Sequence, residues 1–495
     1  MRIPIDRHSD TPLYQQIVGF LQTQIEAGAI PPETRLPASR ELADSLGVSR
    51  LTVTNAYAEL EASGLVVSRA GSGTYVAHPL VQTPYRNGHT EDHWPLWQQD
   101  LRYRVYPPTQ NDFRQRRKEN QQPEMISFRD GLGSINLFAT EEFRKTMQMV
   151  LKRDGAAALG YGDYTSGGYP GLRETIAHIL SNQGIPTHAD NVLITSGSQQ
   201  AIALVARLLL QRGDTVLVES PTYGAGLDLF RSLGARVVGI PMDEEGMLMD
   251  KLETALRTTH PRLIYTIPTF HNPTGRCMCT TRRREMIALA NHYNVPILED
   301  DFVGDLRYEG RAQPALKALD NTGTVIYVNT FSKVLVPGLR IGYLVADGPV
   351  YEQLLIHKWL NDQSTSELLQ RALQAFITVG RYQAHLRRVC QVYRVRRDAM
   401  LDALQKYMPA GTNWSRPQGG LFIWLQLPHN LSATDLLPLA QTEGVTFAPG
   451  AFYFPDEDGF DHLRLNFTTQ TPERIEAGVR RLAGVVRKLA VSSKQ

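Results

Sequence analysis

The sequence predicts an α/β protein of two folded zones, a small helical unit followed by a larger domain with a mainly parallel sheet. Helical patterns fill residues 1–78, and a proline-rich stretch with no sustained period covers residues 79–125. From residue 126 onward, helical patterns alternate with short apolar runs, which is typical of a parallel sheet with sites at the carboxyl ends of its strands. The 495 residues are too many for one core, so two to four domains are expected.

The composition excludes several classes of protein. With 42% hydrophobic and 21% charged residues, the chain is not largely disordered, collagen-like or a coiled coil. A net charge of +2 gives no strong overall field toward nucleic acid or membranes. Three cysteines are too few for a disulfide framework, and no apolar run resembles a signal peptide or spans a bilayer. We therefore expect a cytoplasmic protein.

The first zone predicts a helix-turn-helix followed by a hairpin. Its predicted helices, each with a start or stop signal, are Leu13–Gly28, Arg40–Leu46 after the cap Ser39, and Arg50–Ser63 after the cap Ser49. The short turn that begins at Gly47 joins the last two helices, as in DNA-binding helix-turn-helix units. The runs Leu65–Arg69 and Thr74–Ala77, joined by a glycine turn, predict a hairpin that would form a wing.

In such a unit, the first residues of the third helix enter the major groove of DNA. Arg50 would contact guanine or phosphate, and the hydroxyls of Ser49, Thr52 and Thr54 would reach phosphates or base edges. Residues 1–76 nevertheless hold six basic and eight acidic residues, where a DNA footprint should be basic. DNA binding therefore requires that the basic residues share one face, helped by the basic linker. They are Arg35, Arg40, Arg50 and Arg69. The alternative is a helical protein-interaction module.

Residues 36–76, LPASRELADSLGVSRLTVTNAYAELEASGLVVSRAGSGTYV, resemble the GntR-type winged helix over their whole length. The resemblance places the family's DNA contacts on six residues of this sequence. They are Arg40, Ser49, Arg50, Thr52, Thr54 and Gly71. The family often carries a basic residue where Thr54 stands here.

In the second zone, several residues that could bind a cofactor lie close together in the sequence around Lys333. This lysine follows a predicted strand and small hydroxyl residues, with Arg340 seven positions later. The pattern suits a phosphorylated aldehyde cofactor, because the lysine amine can form a Schiff base while Thr330, Ser332 and Arg340 hold the phosphate. A Ser-Lys pair alone is weak evidence, since most such lysines are solvated.

Two upstream segments strengthen this hypothesis. Ser198 and Gln199 follow a strand and open a helix, whose free N–H groups form an anion site; an ordinary glycine turn is the alternative. Asp300 ends an apolar strand, where a carboxylate can pair with a protonated pyridine nitrogen; capping of the next helix is the alternative.

Three further residues follow or interrupt apolar runs. Asn272, in an Asn-Pro-Thr-Gly segment, can bind the ring hydroxyl oxygen, although the segment could also be a simple turn. Tyr223 could stack on a pyridine face. Arg464 lies inside an apolar run and requires a carboxylate partner, from the protein or from a ligand.

Together these motifs, in this order, resemble the fold-type I aminotransferase family over residues 125–488. The resemblance implies a mainly parallel sheet with a smaller C-terminal α+β subdomain, and pyridoxal 5'-phosphate bound to Lys333. It implies Asp300 on the pyridine nitrogen, Asn272 on the ring oxygen and Arg464 on the substrate carboxylate. The remaining cofactor contacts would be Tyr223, Ser198, Gln199, Thr330, Ser332 and Arg340, with Tyr161 contributed across a dimer interface. In the family pattern, a tyrosine stands at the position of Phe302.

The whole chain resembles the MocR/GabR subfamily of GntR regulators. This resemblance implies domains at 1–78, 79–125 and 126–495, a homodimer, and binding to a double-stranded DNA operator. The expected function is a pyridoxal phosphate-dependent transcription regulator that senses a small amine, an amino acid or the cofactor itself. The alternative is a working aminotransferase. The spacing of Cys277 and Cys279, without a second pair, is a poor zinc signal, so no metal is expected.

Overall fold

A computed structural model describes residues 3–7, 9, 11–69, 71–77, 124–162, 165, 167–428, 431–456 and 458–492. Contacts divide the chain into two units, Met1–Arg102 and Tyr103–Gln495, and each is described by itself. The linker predicted over residues 79–125 lies outside the described residues except at its last two positions. The predicted domain bounds therefore stay predictions.

The described part of the first unit consists of helices and one antiparallel hairpin, as predicted. The elements are α1 (Leu13–Glu26), α2 (Ser39–Leu46), α3 (Arg50–Ala62), β1 (Val66–Arg69) and β2 (Gly73–Val76). Ser49 caps α3, and its hydroxyl accepts a hydrogen bond from the Thr52 N–H. The prediction that Ser39 caps α2 is wrong. Because the extended backbone ends at Ala38, Ser39 already lies in the first turn of α2.

A small apolar core holds this unit together. It draws on every helix and on both strands, with Ile17, Leu21, Leu42, Val53, Leu60, Val66 and Val76 buried. Gly47 ends α2 in the left-handed conformation, with φ of 63°, which glycine adopts at low cost. This residue sets the sharp turn from α2 into α3.

The second unit contains a sheet in which neighbouring strands are mostly parallel. Its strands, in spatial order, are β4 (Val192–Thr195), β11 (Gly342–Val345), β10 (Val325–Thr330), β9 (Ile297–Asp300), β8 (Leu263–Thr266), β5 (Thr215–Ser220), β6 (Arg236–Asp243) and β7 (Gly246–Met247). The pairs from β10 to β6 are parallel, whereas β11 is antiparallel to both of its neighbours. The connection over residues 331–341 is too short for a helical crossover, so β11 must return antiparallel to β10.

Helices cover this sheet and extend into a smaller C-terminal part. The α-helices described in this unit are α4 (Thr140–Asp154), α5 (Pro170–Asn182), α6 (Ser198–Leu209), α7 (Gly224–Ser232), α8 (Met249–Thr259), α9 (Thr280–Tyr293), α10 (Leu316–Leu319), α11 (Pro349–Asp362), α12 (Glu367–Thr378), α13 (Arg381–Tyr407), α14 (Ala433–Thr442) and α15 (Pro472–Ser492). No helix among the described residues is long and apolar enough to cross a membrane.

The C-terminal part is built on a second, antiparallel sheet. Its strands, in spatial order, are β12 (Asn413–Trp414), β13 (Phe422–Gln426), β16 (His462–Asn466) and β15 (Ala448–Pro449). A short parallel pair joins β3 (Ile126–Ser127) to β14 (Val445–Thr446). A mainly parallel sheet with a smaller α+β part confirms the predicted fold class.

Candidate functional site

A cavity of about 760 Å³ lies in the second unit, and it brings together side chains from both of its sheets. Six of the residues predicted for the site line it, namely Ser198, Tyr223, Asn272, Asp300, Lys333 and Arg464. Phe302 lines the same cavity. Because parallel strands end at the same edge of a sheet, residues more than 130 positions apart in the sequence converge here.

Asp300 is the last residue of β9. One of its carboxylate oxygens accepts a hydrogen bond from a described residue, and the other does not. The Tyr265 hydroxyl donates to Asp300 Oδ2 over 2.9 Å. Oδ1 is buried and has no hydrogen-bond partner among the described residues. Burial raises the pKa of Asp300 to about 7. A buried carboxylate oxygen of this kind fits a protonated pyridine nitrogen, which would supply the missing partner.

Arg464 and Asn272 hold each other in fixed orientations. Arg464 Nη1 donates to Asn272 Oδ1 over 2.9 Å, and Nη2 donates to the Arg129 carbonyl over 2.7 Å. Since its oxygen faces Arg464, the Asn272 amide leaves its NH₂ group as a donor for a ring oxygen. The Arg464 guanidinium also lies 3.9 Å from the Phe422 ring centroid and 5.0 Å from that of Tyr453.

The turn from β4 into α6 forms an anion cradle. Gly197 precedes α6 with φ of 91°, and a Cβ atom there would lie 2.7 Å from Arg340 Nη2. A Cβ atom on Gly342 would lie 2.7 Å from the Ser198 nitrogen. Arg340 Nη2 donates to the Ser196 carbonyl over 3.1 Å. The guanidinium therefore lies beside the first N–H groups of a helix, an arrangement that suits a phosphate.

Five predicted residues do not line this cavity. Gln199 Oε1 accepts a hydrogen bond from the Tyr223 hydroxyl over 3.1 Å, so it orients the ring rather than facing the cavity. The Thr330 hydroxyl donates to the Ile341 carbonyl and accepts from the Ser332 N–H. Ser332 Oγ is buried without a partner among the described residues. The other two of the five are Arg340 and Tyr161. Contacts of these side chains with the cofactor stay predictions.

Tyr161 lies elsewhere on the unit. Its side chain is exposed, and it lines a separate cavity of about 10 Å³ with Lys358 and Glu367. Within one chain, the structure does not bring Tyr161 to Lys333. This placement is compatible with the prediction that Tyr161 acts across a dimer interface.

A buried carboxylate–imidazole pair behind the cavity was missed from the sequence. His271 Nε2 lies 3.3 Å from Glu219 Oε2, and both side chains are 1% exposed. Glu219 also accepts hydrogen bonds from the Thr266 hydroxyl and the Ile267 N–H. The hydrogen bond from Ile267 to Glu219 and the contact of Glu219 with His271 join the end of β5 to the segment that leads to Asn272. A glutamate at the end of an apolar strand was the available signal.

The loop after β15 was also missed, although it supplies much of the aromatic wall of the cavity. The Tyr453 carbonyl accepts a hydrogen bond from the Thr222 N–H over 2.7 Å, and the Pro455 carbonyl accepts one from Arg231. A Cβ atom on Gly224 would lie 2.5 Å from the Phe452 carbonyl oxygen. These contacts tie the loop to both ends of α7, and long-range packing of this kind has no local sequence signal.

In the first unit, the predicted DNA-contacting residues are exposed or partly exposed. The Ser49 and Thr52 hydroxyls lie 2.8 Å apart, and the Thr54 hydroxyl donates to the Arg50 carbonyl over 3.0 Å. The arginines Arg40 and Arg50 are exposed, and Gly71 lies in the exposed hairpin turn with φ of 72°.

The other two arginines of the predicted DNA-binding face, Arg35 and Arg69, make contacts within the unit. Arg69 forms an ion pair with Glu33 at 2.8 Å and lies 4.7 Å from the Tyr75 ring centroid. The Arg35 Nε atom would lie 3.0 Å from a Cβ atom on Gly73, so this side chain packs against the hairpin. The arrangement of Arg35, Arg40, Arg50 and Arg69 on one DNA-binding face stays a prediction.

Comparisons with known proteins agree with both units. Residues 134–482 match the aminotransferase class I and II family, and residues 13–76 match the GntR family of bacterial regulatory proteins. The chain is 32% identical over 479 residues to the HTH-type transcriptional regulator YdfD of Bacillus subtilis, covering 97% of both chains. It is 30% identical over 489 residues to the probable rhizopine catabolism regulatory protein MocR of Rhizobium meliloti, covering 97% and 94%.

Among solved structures, the kynurenine aminotransferase of Pyrococcus horikoshii superposes with a TM-score of 0.74 at 35% identity. The match covers 79% of this chain and 99% of that one. The site residues described above therefore lie in a fold that binds pyridoxal phosphate, and their chemistry fits this cofactor.

Proposed function

The chain belongs to the MocR/GabR subfamily of GntR-type transcription regulators, which bind DNA and depend on pyridoxal 5'-phosphate, and we propose that its aminotransferase-like unit senses a small amine or amino acid. The observation that carries the proposal is the cavity in which Lys333, Asp300 and Arg464 meet, in a chain that also has a winged helix. A metabolic enzyme does not require a winged helix.

The cavity residues divide into a cofactor group and an effector group. Bound pyridoxal phosphate supplies a carbonyl carbon that reacts reversibly with primary amines. Lys333 would hold the cofactor through its side-chain amine, and the amine of an effector would compete for the same position. Asp300 pairs with the ring nitrogen, and the Asn272 amide donates to the ring oxygen. Tyr223 stacks on the ring, while Ser198 and Arg340 hold the phosphate.

Arg464 is the proposed anchor for an effector carboxylate. Its hydrogen bonds to Asn272 and to the Arg129 carbonyl fix the plane of the guanidinium. A planar, preoriented fork binds a carboxylate through two parallel hydrogen bonds. An effector whose acid group is held by Arg464 and whose amine lies at Lys333 would change the contacts on both sides of the cavity. That difference in contacts is what shifts the protein between two DNA-binding states.

We also propose a homodimer in the cytoplasm, where the DNA of a bacterial regulator lies. Support comes from large apolar side chains that are exposed on the second unit, including Ile135, Leu159, Trp359 and Leu360. Exposed apolar surface of this kind marks an interaction site. Tyr161 is also exposed and lies two positions after Leu159, so a second copy that covers Leu159 would lie near Tyr161. The domain bounds 1–78, 79–125 and 126–495 are part of the same proposal.

The second candidate function is a working aminotransferase. The observation that favours it is the presence in one cavity of a lysine, a ring-nitrogen carboxylate and a substrate arginine. Incubation of the holo-protein with an amino acid and a keto acid distinguishes the two functions. Multiple turnovers to a new amino acid support the enzyme, whereas a spectral change without turnover supports the sensor.

An effector screen tests the regulatory proposal. Purified holo-protein is titrated with amino acids and amines while the visible absorbance and thermal stability are recorded. A compound that changes the spectrum is then added to protein bound to a DNA fragment selected from a random-sequence pool. The proposal requires that at least one spectrally active compound change DNA affinity. The absence of any such change across spectrally active compounds would contradict it.

A further inference from the structure

The N-terminal arm, residues 3–7, is held firmly against the helices of the first unit. Ile3 is buried in the apolar core. The Gln16 side chain accepts a hydrogen bond from the Asp6 N–H over 2.9 Å and donates to the Asp6 carbonyl over 2.9 Å. It also lies 2.8 Å from the Thr11 carbonyl. Both the N–H and the carbonyl of Asp6, the residue before Arg7, are therefore held by hydrogen bonds.

Arg7 extends from this arm onto the turn between α2 and α3. Its Nη2 atom donates to the Gly47 carbonyl over 2.8 Å. Gly47 is the left-handed residue that ends α2, and it lies two positions before Ser49, the cap of α3. The hydrogen bond holds a guanidinium beside the start of the predicted recognition helix.

The charge of the Arg7 guanidinium is not neutralised by its hydrogen bond, because the Gly47 carbonyl is neutral. Arg7 is exposed, and the Gly47 carbonyl is its hydrogen-bond acceptor among the described residues. A guanidinium has five N–H donors, so the bond to a neutral carbonyl leaves donors for a second group. Arg69 differs, since Glu33 neutralises it through an ion pair at 2.8 Å. The first turn of α3 also contains no acidic residue that would compete.

We propose that Arg7 contacts a phosphate of the DNA backbone at the edge of the major groove and that the Gly47 carbonyl positions it there. In helix-turn-helix complexes, the elements that precede the recognition helix cross the sugar–phosphate backbone, and contacts there fix the register without reading sequence. Arg7, one of the six basic residues of residues 1–76, thus adds a cation to the proposed DNA-facing set, in which Arg69 is paired with Glu33. The inference rests on the placement of α3 in the groove.

Two variants separate the charge of Arg7 from its structural bond. Arg7→Gln keeps a donor for the Gly47 carbonyl and loses the charge, whereas Arg7→Lys keeps the charge. Arg212→Gln, an exposed arginine of the other unit, is the matched control for net charge. All are made in the full-length holo-protein. DNA affinity is measured from low to high salt on a selected fragment and on unrelated DNA.

We expect Arg7→Gln to weaken binding to both DNAs by the same factor and to reduce the slope of log affinity against log salt by about 1. Arg7→Lys should keep the wild-type slope, as should Arg212→Gln. A wild-type slope for Arg7→Gln, or equal losses for Arg7→Gln and Arg7→Lys, would overturn the phosphate contact. The placement of α3 fails separately, through unchanged binding by Arg50→Ala.

Discussion

The two units hold their functional side chains in opposite ways. In the α/β unit, Asn272, Asp300 and Arg464 are no more than 5% exposed, and each is oriented by a hydrogen bond to another buried group. In the winged unit, Arg40 and Arg50 are exposed at helix starts. A small-molecule site has to be built before its ligand arrives, because the ligand is too small to organise it. A DNA surface gains its order from the partner, whose phosphates attract long cationic side chains.

This contrast predicts different sizes of mutational effect. Removing one member of a preorganised, buried constellation leaves the remaining polar groups without partners, which is costly. Removing one exposed cation from a DNA surface loses a single contact among several. Loss of Lys333 should therefore have a larger effect than loss of Arg50.

Lys333→Ala should abolish covalent attachment of the cofactor. Wild-type protein should absorb visible light through lysine-bound pyridoxal phosphate, and borohydride should remove that band and fix the cofactor to the chain. Mass spectrometry after reduction should find the added mass on wild type and none on the variant. Lys251→Ala, at an exposed lysine, is the control. Reducible cofactor on the Lys333→Ala protein would assign the lysine role to another residue.

Arg464→Lys should weaken binding of a carboxylate effector by roughly 2–5 kcal/mol, because an ammonium cannot reproduce a two-point contact with a carboxylate. Titration calorimetry on the holo-protein measures this loss. The variant should still bind pyridoxal phosphate at Lys333 and should still bind DNA. If its effector affinity equals that of wild type, Arg464 has a structural role, and an effector without a carboxylate becomes the better hypothesis.

Asp300→Asn should change how the stability of the apo-protein depends on pH. Burial raises the folded-state pKa of Asp300 from 3.8 to about 7, so the unfolded chain binds fewer protons between these values. The free energy of unfolding of wild type therefore falls as pH rises through this window. Relative to wild type, the variant should gain about 1–3 kcal/mol from pH 5 to pH 8.

Urea unfolding of the cofactor-free proteins at several pH values measures the difference. Burial also raises the pKa values of Glu299 and Asp301, to about 7 and about 6, so both act in the same direction as Asp300 in both proteins. Glu253→Gln, at an exposed carboxylate, should show no such pH-dependent gain. A constant difference between Asp300→Asn and wild type from pH 5 to pH 8 would show that Asp300 is already ionised at low pH.

Arg50→Ala should have the smallest effect, confined to DNA. If Arg50 binds guanine, the loss should be roughly 1–3 kcal/mol at one base position, and if it binds phosphate, the salt slope should fall by about 1. Arg40→Ala should resemble the phosphate case. Fluorescence anisotropy on a selected fragment and its point variants distinguishes the two. Operator binding unchanged in Arg50→Ala would contradict the placement of α3 in the major groove.

The sequence predicted those features that depend on local pattern. The strand that ends at Asp300 and the strand that precedes Lys333 were located from apolar runs, and the cap Ser49 from its type and position. The antiparallel direction of β11 was not predicted, since a run of apolar residues does not show which way a strand runs. The hydrogen bond from Tyr223 to Gln199 and the pair formed by Glu219 and His271 were missed for a related reason. These contacts join distant segments, and side-chain type alone does not show which segments meet.

In the proposed function, an effector that binds in the buried cavity changes the DNA affinity of the exposed winged helix. The most direct test is the affinity of full-length holo-protein for a selected DNA fragment, with and without a spectrally active amino acid, in wild type and in Arg464→Lys. We predict that the amino acid changes the affinity of wild type and leaves that of Arg464→Lys unchanged at the same concentration. Equal DNA affinity of wild type with and without a saturating amino acid would contradict the claim.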